Sequence, residues 1–71
     1  MIKRGSKIIV KKNLLCVLEV LNYKREVINY LVKKFEDGSY IVEDVFYLNG
    51  QDYAVLDGSC YIPIECCEEK K

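Results

Sequence analysis

Three turn dipeptides punctuate the chain, Asp37-Gly38, Asn49-Gly50 and Asp57-Gly58, and residues rich in Tyr, Val, Ile and Phe flank each of them. Glycine supplies the positive φ that tight turns need, so these dipeptides predict turns between strands. Their spacing of 12 and 8 residues is that of short strands in a small barrel or sandwich. From 60 to 66 polarity alternates, with Cys60, Ile62, Ile64 and Cys66 on one face and Tyr61, Pro63 and Glu65 on the other. This predicts a half-buried strand. Pro63 has no N–H to give a ladder, which makes that strand an edge. Residues 40–48 are apolar on both faces except at Glu43-Asp44, where a bulge or a strand break is expected.

Two stretches read less simply. As a strand, residues 14–21 place Leu14, Cys16, Leu18 and Val20 on one face and Leu15, Val17 and Leu21 around Glu19 on the other. A small barrel covers only its inner face, so the outer row predicts an apolar interaction patch, unless another part of the chain covers it. Between Lys24 and Phe35, the positions Val27, Ile28, Leu31, Val32 and Phe35 fit one face of a helix with Gly38 near its end. The β-branched residues and Tyr30 favour a strand there, and the strand is the preferred reading. The expected fold is mostly β, with an α+β fold carrying one helix at about 24–36 as the alternative.

The 71 residues have room for one core, so positions 1–71 form one small domain. With 51% apolar and 31% charged residues, the composition is that of a globular chain. Ile8-Ile9-Val10 is too short for a signal-peptide core, and the run Leu14 to Leu18 falls short of the roughly 20 residues of a membrane helix. A cytoplasmic location is expected. In that compartment Cys16, Cys60, Cys66 and Cys67 are expected to stay reduced. Along a strand Cys60 and Cys66 lie about 20 Å apart, and adjacent Cys66 and Cys67 point oppositely. They read as small buried hydrophobes plus one spare exposed thiol.

Gly5-Ser6-Lys7-Ile8-Ile9-Val10, then Val17 to Leu21, then the segment from Tyr30 to Tyr40 with its acidic-Gly turn, resemble the opening of SH3-like small β-barrels of the Tudor and KOW kind. The resemblance covers about half the chain. It implies a five-stranded barrel that binds peptides or nucleic acid. No aromatic lies between Met1 and Asn22, so the first wall of a Tudor-type aromatic cage has no counterpart and the resemblance does not extend to methyl-lysine recognition.

The absence of histidine removes the commonest general base and the commonest metal ligand together. No cysteine stands beside a lysine or arginine that would hold a thiolate, and the cysteine spacings do not match paired zinc ligands. The glycines at 5, 38, 50 and 58 are isolated, so no phosphate loop exists. The sequence therefore predicts no enzyme, no catalytic residues, no cofactor and no metal site.

Charge is segregated. Residues 1–35 hold nine Lys or Arg against two Glu, and residues 36–71 hold nine Asp or Glu against two Lys, giving +7 and −7. One reading pairs basic early strands with acidic late ones. The other gathers Lys3, Arg4, Lys7, Lys11 and Lys12 into a patch for anions or nucleic acid, with tyrosines stacking bases. A net charge of zero argues against a dedicated nucleic-acid binder. Six tyrosines suit an interface, because the ring buries while the hydroxyl stays wet. The first expectation is thus a protein-binding module or homo-oligomer acting by steric contact, with Leu15, Val17, Leu21, Tyr23 and Tyr61 at the interface. Size and composition also suit a phage-encoded inhibitor of a host enzyme. The alternative is a small nucleic-acid-binding barrel that uses the basic half.

Overall fold

The computed structural model describes residues 1–58 and 60–70. Its elements are β1 (Lys7–Val10), α1 (Leu14–Val20), α2 (Arg25–Phe35), β2 (Ser39–Ile41), β3 (Asp44–Leu48), β4 (Gln51–Asp57), β5 (Cys60–Pro63), a 3₁₀ turn (Ile64–Cys66) and β6 (Cys67–Glu69). The fold is β-rich. Its six strands form two antiparallel three-stranded sheets, in the orders β2-β1-β6 and β3-β4-β5. Among the described residues no closed barrel is formed. Of the segments that carry the SH3-like resemblance, the first holds β1, while the other two are largely helical.

The strand expected over 14–21 is a helix. Coiled as α1, this segment buries only Leu14 and Leu18, one turn apart, and leaves Glu19 free to pair with Arg25 at 2.8 Å. A strand would have exposed or buried a whole row on each side, and the chain has too little material to cover both. Asn22 ends the helix in the left-handed region at φ 65°. The Asn22 and Tyr23 N–H groups donate to the carbonyls of Glu19 and Leu18, which satisfies the last turn as a Schellman motif does.

Over 24–36 the helical alternative replaces the preferred strand. Ile28, Leu31 and Phe35 point α2 into the core, and a shared apolar face outweighs the weak β preference of Val27, Ile28 and Val32. Glu26 in the first turn and Lys33 and Lys34 in the last suit the helix dipole. Asp37-Gly38 is consequently a helix exit and not a turn between strands. Asp37 takes φ 63° there. Its N–H donates to the Val10 carbonyl at 3.1 Å, and Val10 donates back to the Gly38 carbonyl at 2.9 Å, which ties the exit to β1.

The other dipeptides do join strands. Asn49 and Gly50 both have positive φ, 50° and 83°, which is the two-residue turn matched to strand twist. It fixes the β3–β4 register as Leu48↔Gln51, Tyr47↔Asp52 and Phe46↔Tyr53. Gly58 (φ 62°) follows β4, while Ser59 lies outside the described residues. Val42-Glu43 is a strand break, since β2 and β3 belong to different sheets. β5 is an edge strand, but the alternation expected through 66 stops at Pro63, where the 3₁₀ turn carries the chain across to β6.

One core lies between the sheets and helices. It joins Ile8 and Val10, Leu14 and Leu18, Ile28, Leu31 and Phe35, Val42, Ala54, Leu56 and Ile62, and the adjacent Cys66 and Cys67. No helix among the described residues is long and apolar enough to cross a membrane.

Truncation within α1 separates helix from strand. Leu18→Ala should cost about 2–5 kcal/mol in urea unfolding, whereas Val20→Ala, at a position 83% exposed, should shift stability by about 0.5 kcal/mol or less. In a strand the two residues share a face and would cost alike.

Candidate protein-binding face

The Asn49-Gly50 turn places Phe46 opposite Tyr53, and β5 places Tyr61 opposite Val55. Directly opposed residues share a face, so two rows run across the outer side of this sheet: Asp44, Val55, Tyr61 and Phe46, Tyr53, Pro63. The inner side carries Ala54, Leu56 and Ile62 into the core. Phe46 and Tyr53 stack at 5.2 Å with an interplanar angle of 22°. Tyr61 meets both edge-on, at 5.0 Å and 5.2 Å, each at 79°. These are the offset and edge geometries that aromatic quadrupoles favour. Phe46 and Tyr53 are half-buried, Tyr61 is 37% exposed and Leu48 beside them is 49% exposed.

Tyr23 reaches the same cluster from the α1–α2 connection. Burial, and then the neighbouring Tyr53 hydroxyl, push its phenol well above the ordinary value. Two of the five expected interface residues, Tyr23 and Tyr61, therefore meet. The other three do not join them. Val17 packs against the core, Leu21 is half-buried just beyond α1, and Leu15 is 38% exposed. The outer row of a strand does not exist, because α1 distributes these side chains around a helix. Phe46 and Tyr53, absent from the sequence-based set, are the cluster's other members.

The expected basic patch is divided. Lys3, Arg4 and Lys7 lie before or at the start of β1, while Lys11 and Lys12 follow its end, about 13 Å farther along at roughly 3.3 Å per residue. Lys11 is half-buried near the Cys66 and Cys67 thiols. The strands under the aromatic cluster hold Asp44, Asp52 and Asp57 and no cation. The Tyr53 and Tyr61 cluster and the basic strand thus belong to different sheets, and Tyr40, which pairs with Ile8 of β1, stands apart from that cluster.

Two shallow clefts lie away from the aromatic cluster. One, of about 190 Å³, is lined by Lys7, Ile8, Ser39, Tyr40, Ile41 and Lys70. The other, of about 200 Å³, lies between Cys16, Val17, Val20 and Glu65. Both fall below the roughly 300–1,000 Å³ of small-molecule sites. All four cysteines are free, with Cys16 exposed, Cys60 half-buried, and Cys66 and Cys67 buried. Comparison with family models, with curated proteins and with solved structures finds no match.

Burial pushes the Cys66 thiol up to about 12 and the Cys67 thiol up to about 11, from an ordinary value of 9.0. The native state holds these protons where the unfolded chain releases them, so their contribution is complete below pH 9 and is lost as the pH rises from there toward the folded values. Urea midpoints should fall as the pH rises from about 9 toward about 11, the span between the ordinary and the folded thiol values, and fall less steeply in Cys66→Ala. An equal slope in both proteins would remove the thiol as a cause.

Proposed function

We propose that this chain is a non-enzymatic protein-binding module that acts by steric contact through its Phe46, Tyr53 and Tyr61 face. One observation carries the reading: an aromatic cluster lies partly exposed on the side of a sheet that faces away from the core. Tyrosine is enriched among the residues that dominate interface energies. Rings already held by their neighbours lose little rotamer freedom when a partner covers them, so more of the buried area appears as affinity. Binding there occludes the partner's own surface, which is the action of an inhibitor.

Nucleic-acid binding is less well supported. Base stacking needs aromatics within a cationic groove, and here the strands that carry the platform hold no cation and place Asp44 on its face, which repels phosphate.

Photo-crosslinking in the cells that express the chain tests this reading. With p-benzoylphenylalanine in place of Tyr61, a discrete protein adduct is expected. The same group in place of Glu68, exposed on the other sheet, should give none. A nucleic-acid adduct at position 61, or no adduct at all, overturns the proposal.

A further inference from the structure

From Phe35 to Glu69 the chain contains nine Asp or Glu and no Lys or Arg. The whole β3-β4-β5 sheet lies inside that interval. Its strands carry Asp44, Asp52 and Asp57, and only Asp57 has a cation, Lys34 of α2 at 3.1 Å. Among the described residues Asp44 and Asp52 are exposed and not ion-paired. Asp44 shares the outer face with the aromatic cluster, one residue across the sheet from Val55, which in turn opposes Tyr61. A carboxylate, an aliphatic side chain and an aromatic ring therefore form one row, with the Phe46–Tyr53 stack alongside.

Resting on the protein-binding reading above, we propose that the partner is a cationic protein segment with Arg or Lys interleaved among apolar residues. Ring faces attract a guanidinium or ammonium, the planar guanidinium best, since it also stacks. Asp44 supplies the charge partner on the same face, and Val55 and Leu48 receive the apolar residues between. The acidic sheet further raises the rate of encounter with such a segment and repels an anionic competitor. A second copy presenting this same face would bring another uncompensated carboxylate and no cation to it.

The test uses the full chain and three labelled probes followed by fluorescence anisotropy: an alternating Arg-Val octapeptide, an alternating Glu-Val octapeptide and oligothymidylate. The Arg-Val peptide should bind, more weakly at high salt, and the other two should not. Tyr61→Ala and Asp44→Lys should each weaken Arg-Val binding about tenfold, with unchanged circular dichroism. The double variant Asp44→Lys/Asp52→Lys should acquire affinity for the Glu-Val peptide. Equal binding of both peptides, preference for oligothymidylate, or Arg-Val binding indifferent to Asp44→Lys overturns the proposal. So does self-association in sedimentation velocity that Tyr61→Ala abolishes, since the occupant is then a second copy. A protein adduct at position 61 combined with no Arg-Val binding rejects the cationic partner alone, whereas no adduct rejects the binding reading itself.

Discussion

Both sheets place one face against a single shared core, and the chain has no third layer to lay over the other faces. This scarcity governs the rest. A chain of this size buries only about 60% of the surface its unfolded form exposes, and here the two helices are spent on the inside. α2 sends Ile28, Leu31 and Phe35 inward, and α1 sends Leu14 and Leu18. The outer side of β3-β4-β5, where Pro63 alone is fully buried, therefore has to be tolerable in water over the rest of its area. Three aromatic rings meet that demand partly by covering one another, and Tyr23 shields the end near Tyr53. Part of their surface is left for a partner.

β1 is where this thin construction is held together. It is the central strand of its sheet, flanked by β2 and β6. Beyond those ladders, Val10 exchanges hydrogen bonds with the exit of α2, and the Lys11 N–H donates to the Cys66 carbonyl at 2.7 Å at the end of the 3₁₀ turn. The first strand in sequence thus fastens the end of the second helix and the crossing between sheets. Gly38 matters at that junction, because a Cβ there would lie 2.6 Å from the Tyr40 ring. That ring is held edge-on against Phe35 at 5.1 Å and donates its hydroxyl to the Lys34 carbonyl at 2.9 Å.

The second half of the chain was more legible than the first for a definite reason. Hairpin pairing is local, so Asn49-Gly50 alone sets Phe46 against Tyr53 by counting outward from a two-residue turn. That count could have named two of the three cluster aromatics from the sequence. The helices depend on distant partners. Leu14 to Leu21 contains apolar residues at both periods, and only the position of the core selects Leu14 and Leu18 over the alternating rows. Once the segment coils, Leu15, Val17 and Leu21 part company, and the apolar row inferred from a strand disappears. Tyr23 and Tyr61 survive as site residues because one sits in a connection and the other on β5, the part of the expected 60–66 strand that does form.

An exposed aromatic sheet face invites indiscriminate pairing, and the acidic residues around it act against that. The open side of β3 is the natural place for another strand to add. There the Asp44 carboxylate accepts the N–H of Val45 at 2.8 Å, which occupies a donor that an incoming strand would use. Glu43 similarly accepts the Gly58 N–H at 3.2 Å across the sheet's end. Carboxylates placed along an edge repel the same edge of another molecule, so they discourage sheet extension while part of the aromatic surface stays exposed. The charge segregation evident in the sequence is thus only marginally used for internal pairing, since Lys34–Asp57 is the one side-chain ion pair among the described residues that joins the basic half to the acidic half. Charge left unneutralised beside an apolar surface contributes little to stability and much to the choice of what that surface meets.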